Sequence, residues 1–237
     1  MGLKESGLRG SLRNVSVGID AIPDSAVLNF NASNFAEPWP NDIENEPDMS
    51  VSGLSSTTLS DGSDGVEGDG EDDVGEVDPP SALTGSDLLS HTIEFSIEFD
   101  HSDEGRFISN IDTNGDQTVQ LALNEPSAGN TRIFIDDKNA NRLEFHPDDN
   151  PNLNDGNLHK VTFEIVDSAN NDANIYIDGS SVDVNFVSTG GPDNYGSWDF
   201  DYAFWAQRLT DGGLTRYVEG ASGIIRWHNE ATGQQTI

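Results

Sequence analysis

The sequence predicts an all-β sandwich folded as one domain, and three features carry that prediction. Apolar and polar residues alternate with a period of two through much of the chain. The alternating runs are separated, at a spacing of roughly 8 to 14 residues, by connectors rich in Asn, Asp and Gly, the pattern of many short hairpin-linked strands. Helical periodicity is nearly absent, with only a short turn expected somewhere in 35–50. About 200 residues suffice for such a sandwich to bury its own core.

In chain order, residues 1–25 read as an arm and residues 26–237 as the folded body. The arm holds Lys4, Arg9 and Arg13 against Glu5, and no further lysine or arginine follows until Arg106. A short basic segment ahead of an acidic body suits docking on an acidic neighbour, so these three residues are the candidate anchors; a frayed terminus is the plain alternative. "MGLKES" fits the loose N-myristoylation pattern, and Asn14 and Asn31 head sequons, signals too permissive to build on. Residues 61–78 hold nine carboxylates and five glycines, a composition that by itself suggests an acidic tether. From Ile93 the alternation is plain: "HTIEFSIEFD" sets Ile93, Phe95, Ile97 and Phe99 on one face and Glu94, Ser96, Glu98 and Asp100 on the other, which is expected to face solvent. "RFISNI", "TVQLAL", "TRIFIDD", "RLEFH", "HKVTFEIV", "ANIYIDG", "VDVNFV", "WDFDYAFWAQRL" and "GIIRWH" continue as strands, joined by turns such as "DTNGD" and "DSANND".

Composition restricts the function classes. The 237 residues carry 43 Asp and Glu against 11 Lys and Arg, a formal net charge of -32. Phosphate-bearing partners need clustered basic residues, so neither nucleic acid nor membrane insertion is expected. Only Lys4, Lys138 and Lys160 are lysines, and the acids are dispersed through otherwise foldable segments. That pattern suits a halophile, because at about 1 M salt the Debye length is roughly 3 Å and like charges cease to repel across the domain. Disorder is the competing reading, and 34% hydrophobic residues, four Trp and eleven Phe stand against it. Cysteine is absent, which removes thiolate chemistry. The first residues lack an apolar signal core, and no apolar run is long enough to span a bilayer.

The segment "LNDGNLHKVTFEIVDSANNDANIYIDGSSVDVNF" is similar to the central hairpin of concanavalin A-like, laminin-G-like jelly rolls. Asp155, Gly156, His159 and Val161 match the family's strand opening, and Ile175, Tyr176, Ile177, Asp178 and Gly179 its strand close, while Leu158 stands where the family usually has Trp. "VEGDGEDDVGEV" resembles the strand pair that begins such domains through Val66, Asp69, Gly70, Asp72, Asp73, Val74 and Val77, with Gly68 and Gly75 in place of aromatics. "IEFSIEFD" and "GRFISN" resemble the strands that follow, so the likeness runs over about 49–228. It implies a concanavalin A-like jelly-roll β-sandwich with a short N-terminal anchoring arm, and it turns the acidic stretch from a tether into strands. The leader "GLRGSLRNVSVGIDAIPDS" also resembles that of proteins encoded by tailed viruses of haloarchaea, where it precedes lectin-like jelly rolls on the virion.

Three chemistries compete for this body. A concanavalin-like glycosidase would set its carboxylates at alternate positions of one strand, about 5 to 5.5 Å apart for a retaining mechanism; the nearest string, Glu94, Ser96, Glu98, has serine where the orienting carboxylate belongs. Asp69, Asp72 and Asp73, grouped about a glycine turn, offer hard oxygen ligands to Ca2+ or another cation without matching an EF-hand. Asp148 with Asp149, and Asp136 with Asp137, are weaker groups. His91, His101, His146, His159 and His228 show no zinc spacing and read as surface or packing residues. For a glycan, "GGPDNYGSW" offers Asp193, Asn194, Tyr195 and Trp198, though Trp198 also suits strand packing with Phe200, Tyr202 and Phe204. Trp39 reads as a surface anchor or subunit contact; Trp205 and Trp227 read as packing residues.

The expectation is therefore a non-enzymatic virion surface protein of a halophilic archaeal virus, a capsid turret, decoration protein or tail fibre. It would be assembled in the host cytoplasm and held to virion proteins by its arm. As a homo-oligomer gaining avidity from multivalency, it would meet a host-surface glycan or S-layer. A purely structural component binding only its neighbours, and a glycan-degrading enzyme dependent on Glu98, are the alternatives.

Overall fold

The computed structural model describes residues 22–81, 90–100, 103–111, 117–123, 131–136, 142–147, 152–167, 172–186, 201–209, 213–233 and 237. Two eight-stranded antiparallel sheets stack face to face. Numbered in chain order, the first sheet runs β13 (Ser180–Val182), β12 (Asp172–Ile177), β11 (Leu158–Asp167), β6 (His91–Phe99), β18 (Glu219–His228), β4 (Asp64–Asp69), β3 (Ser55–Thr58). β1 (Ala26–Asn31) pairs with the far half of β18. The second sheet runs β14 (Val184–Phe186), β10 (Arg142–Pro147), β9 (Thr131–Asp136), β8 (Gln117–Leu123), β7 (Gly105–Ile111), β15 (Tyr202–Phe204), β5 (Val74–Val77), β2 (Ser50–Ser52). A small ribbon, β16 (Gln207–Arg208) with β17 (Leu214–Thr215), lies beside them. This is the jelly-roll sandwich that the strand pattern and motifs predict.

The core lies between the sheets. Ile93, Phe95, Ile97 and Phe99 of β6, Val161, Phe163 and Ile165 of β11, and Ile225 and Trp227 of β18 point inward and are essentially inaccessible. Phe107 stands at the centre, 5.1 Å from the rings of both Phe99 and Trp205 and 5.5 Å from Phe95. Each such aromatic contributes several kcal/mol, about 3–5 when cut to alanine.

Several expectations need correcting. The acidic segment does form strands, but β4 and β5 do not pair with each other: β4 joins the first sheet and β5 the second, so residues 70–73 cross between the layers. Gly68 and Gly75 leave no hole where aromatics were missing, because Trp205 and the Met49 sulfur fill the places their side chains would take. Trp39 is fully buried; its indole N–H donates to Asn31 O at 3.0 Å and its ring packs on Phe30, Phe35 and Trp205. The short helical turn is a 3-10 turn at Ala32–Asn34, capped by the Asn31 side chain; at 35–50 the chain is held instead by a Trp39–Met49 bridge. "WDFDYAFWAQRL" is not one strand: Trp205, at φ +61, turns the chain after β15, and its indole N–H donates to Gly220 O at 2.9 Å. "VDVNFV" divides likewise, β13 ending in one sheet and β14 beginning in the other.

The outward row of β6 is the largest departure. Thr92, Glu94 and Ser96 are buried, as are Thr162, Glu164, Arg226, His228 and Asn29 on the neighbouring strands. Glu94 accepts from Thr162 Oγ1 at 3.1 Å and lies 3.1 Å from His228 Nε2; Arg226 Nε donates to Asn29 Oδ1 at 2.8 Å. The tail contributes too, Glu230 O accepting from Thr92 Oγ1 and Gly233 N–H donating to Glu164. An alternating pattern marks which residues share a face; it does not reveal that a polar face has been covered by chain from elsewhere.

Candidate binding site

Near the β3 edge of the first sheet the outer face opens into a cleft of about 530 Å3. Register builds it. One transverse row runs Ser55 of β3, Glu67 of β4, Ala221 of β18, Glu98 of β6, so two glutamates flank an alanine too small to fill the space between them. In the adjoining row Gly68 and Gly220 face each other, and beyond them Asp69 stands opposite Glu219. Asp73, Asp100 and Gly156 complete the lining. Six carboxylates thus surround the cleft and none of its lining residues is basic.

Like charges directly opposite across strands repel, and only part of that repulsion is offset locally. Glu98 Oε2 accepts from Ser60 N–H at 2.8 Å, Asp69 Oδ1 from Glu71 N–H at 2.8 Å, and Asp73 Oδ2 from Asp69 N–H at 2.7 Å. Asp73 is the buried member, packed under Gly53, whose φ of +79 and missing side chain make room for the carboxylate. Burial pushes its carboxyl above the usual range; the Asp69 N–H bond opposes this, and the Asp69 and Asp72 carboxylates add to it.

Asp69, Asp72 and Asp73, expected as cation ligands, do come together, each offering an oxygen within 4.8 Å of the others. Gly70, at φ +80, makes the turn that gathers them at the crossing between the sheets. Three carboxylates with a raised pKa in their midst suit a hard cation, and these residues would hold it. Lys4, Arg9 and Arg13, and Asp193, Asn194, Tyr195 and Trp198, lie outside the described residues, as do Asn14, Asp137, Asp148, Asp149 and His101. Asn31 uses its side-chain oxygen on Ser33.

Glu94 and Glu98 do not share the cleft. Glu94 is held by Thr162 and His228 inside the covered part of the sheet, while Glu98 lines the opening. Ser96 serves the backbone instead. β18 bulges between Ser222 and Ile225, and Ser96 Oγ accepts from the Gly223 and Ile224 N–H groups there at 3.2 and 2.9 Å. Of the histidines, His91 stacks on Trp227 and burial pushes it down to about 3, His228 is buried beside Glu94, and His159 bridges two aspartates outside the cleft's lining. Glu67, Asp100 and Glu219 were missed as site residues, and Glu98 was weighed only as a catalytic carboxylate. They lie far apart in sequence, from Glu67 to Glu219, and only the strand register unites them.

No protein-family model matches the chain, and no curated protein matches it. Solved structures do. The binding domain of Paraclostridial mosquitocidal protein 1 superposes with a TM-score of 0.66 at 13% identity, over 88% of this chain and 49% of that one. Domain 4 of AbnA, a GH43 extracellular arabinanase of Geobacillus stearothermophilus solved with arabinotriose, gives 0.62 at 11% identity, over 87% of this chain and 93% of that one. The botulinum neurotoxin serotype G binding domain gives 0.61 at 16% identity, over 87% and 48%. This chain therefore spans about half the length of the toxin binding domains and nearly all of the arabinanase domain. At these identities the likeness establishes the β-sandwich fold alone.

Proposed function

We propose that this chain is a non-catalytic, lectin-like binding module on the virion of a halophilic virus, and that its acidic cleft meets a polyhydroxylated ligand such as a host-surface glycan or S-layer sugar. The observation that carries the reading is the cleft itself, an open depression edged by glycines and carboxylates on a sandwich whose shape is shared with a domain solved with arabinotriose. Sugar hydroxyls donate well to carboxylates, and such charge-assisted bonds are about twice as strong as neutral ones. A hard cation at Asp69, Asp72 and Asp73 would reduce the repulsion that a neutral ligand alone leaves in place.

The leader resemblance and the salt-adapted charge support a virion setting, with the basic arm contacting capsid or tail proteins and several copies acting together to raise avidity. Against turnover, the two glutamates of β6 point into different surroundings, and Glu94 is committed to its hydrogen bonds. The test is competition: purified protein at saturating concentration in molar salt should reduce virus adsorption to host cells, and Glu67→Gln with Glu98→Gln should abolish the reduction while leaving the fold intact by circular dichroism. Undiminished adsorption would refute attachment. Polysaccharide hydrolysis that disappears with Glu98→Gln alone would replace the reading with an enzymatic one.

A further inference from the structure

At the start of β11, next to the loop that supplies Gly156 to the cleft, His159 joins two separate loops. Its Nε2 lies 3.1 Å from Asp155 Oδ1, in the segment 152–157 that supplies Gly156 to the lining, and its Nδ1 lies 2.8 Å from Asp178 Oδ2 in the turn between β12 and β13. Both loops are otherwise well formed. Gly156 N–H donates to Phe99 O at 2.8 Å; Asp178 Oδ1 accepts from Lys160 N–H at 2.9 Å, and Asp178 and Gly179 take the two positive φ values, +50 and +76, of a type I′ hairpin turn.

We propose that His159 is a proton-operated clasp that holds the 152–157 rim to the Asp178–Gly179 turn when charged and releases one of the two when neutral. The number of N–H donors on the ring decides how many aspartates it can hold. An ionised carboxylate only accepts, and a neutral imidazole carries a single N–H, so it can serve one aspartate; imidazolium alone serves both. The electrostatics agree. Burial by itself would lower the His159 pKa, but the hydrogen bonds and charges of Asp178 and Asp155 outweigh it and leave it raised, while Asp155 is held low chiefly by bonds from Asn157 and also by His159. Among the described residues, the charged groups nearest in register are Lys160 beside it on β11, Glu98 across from Leu158 on β6, and Asp100 against Gly156, while Glu94 of β6, Glu164 and Asp167 of β11 and Asp172 of β12 stand further along these strands. A raised histidine pKa stabilises fully below the unfolded value near 6.5 and ceases to do so as pH climbs through the higher folded value, so the clasp opens as pH rises and not in acid.

The clasp is independent of what the cleft binds, and its test uses no ligand. In the full chain at high salt, the His159 ring proton, assigned by its loss in His159→Gln, should titrate with a midpoint above 6.5. Asp178→Asn, which keeps the acceptor for Lys160 N–H and tolerates the positive φ, should lower that midpoint by about one pH unit. Corrected for intrinsic base catalysis, hydrogen exchange at the Gly156 and Asn157 amides should accelerate about tenfold across the wild-type midpoint, the one-unit shift read as a population ratio, and should show no such step in His159→Gln. A ring midpoint at or below 6.5, one that ignores Asp178→Asn, or the same exchange step in both proteins would overturn the clasp. If His159→Gln fails to fold, the Asp178→Asn titration decides.

Discussion

Single side chains show how much of this structure is a settlement between charge and burial. Asp73 has a raised pKa, so the folded state holds its proton more tightly than the unfolded chain does; its contribution is best in acid and turns unfavourable as pH rises past the ordinary value of 3.8. At neutral pH without a bound cation, Asp73→Asn should therefore raise the melting temperature, since Asn keeps an oxygen for Asp69 N–H and sheds the repelled charge. In millimolar CaCl2 the order should reverse, the wild type gaining and the variant not, as read by parallel melts with CaCl2 and with EDTA. Equal calcium responses would remove Asp73 from any cation site. His91 works in the opposite direction to His159. Its pKa, pushed down to about 3 by burial, means that protons bind the unfolded chain first, so stability falls as pH drops below about 6.5 toward 3. His91→Leu, close in volume, should flatten that acid limb of the melting curve; the slope between pH 6.5 and 4 is the readout, and an unchanged slope would assign acid lability to other groups.

Strands and turns explain what could be read in the sequence and what could not. The inward rows of β6, β11 and β18 were legible because a period of two sorts side chains to faces without reference to anything distant, and the Asp178–Gly179 turn was legible because its backbone demands such residues. The strands of the acidic segment 61–78 were legible only by their order among other motifs, since its composition argued for a tether, and the crossing of 70–73 between the sheets was not legible at all. Strand β1 escaped notice because six residues with one clear alternation carry little weight beside the runs after Ile93. What lay beyond reach was everything set by partners: the covered outer row, the burial of Trp39, and the role of Ser96. That serine stood out as the wrong residue for a catalytic string, whereas it satisfies two amide groups left without ladder partners where β18 bulges. Ser96→Ala leaves both N–H groups in a buried setting, and the expected loss is about 1–3 kcal/mol for the unmet donors. Urea denaturation in molar salt measures it. A loss within about 0.5 kcal/mol, typical of neutral surface changes, would mean that water reaches the bulge and the hydroxyl is dispensable.

For the molecule as a whole, the charge of -32 and the sandwich must be reconciled, because the same carboxylates that keep it soluble oppose its compact state. The cleft concentrates the problem, with six acids on one patch of the sheet and two of them, Asp69 and Glu219, directly opposed. A second acidic depression of about 260 Å3, lined by Asp48, Glu76, Asp78 and Asp201, lies at the edge of the other sheet. Screening should therefore act on folding itself: between about 0.1 and 1 M salt the Debye length contracts from roughly 10 to 3 Å, shorter than the spacing of most surface charges. Raising NaCl through that range should lift the melting temperature by roughly 2–4 °C for each kcal/mol of repulsion removed, with most of the gain below 1 M, where screening changes fastest. Sodium sulfate strengthens apolar burial as well as screening, so a matched series in NaCl, KCl and sucrose separates the causes. Equal gains in the two chlorides and little in sucrose identify charge screening; a gain in sucrose as large as that in salt would show that the acids are already accommodated and that the fold gains only from solvent exclusion. The neutralised variant Glu67→Gln with Glu219→Gln sharpens the outcome, since it should begin more stable at 0.1 M and gain less from salt, converging on the wild type near 1 M.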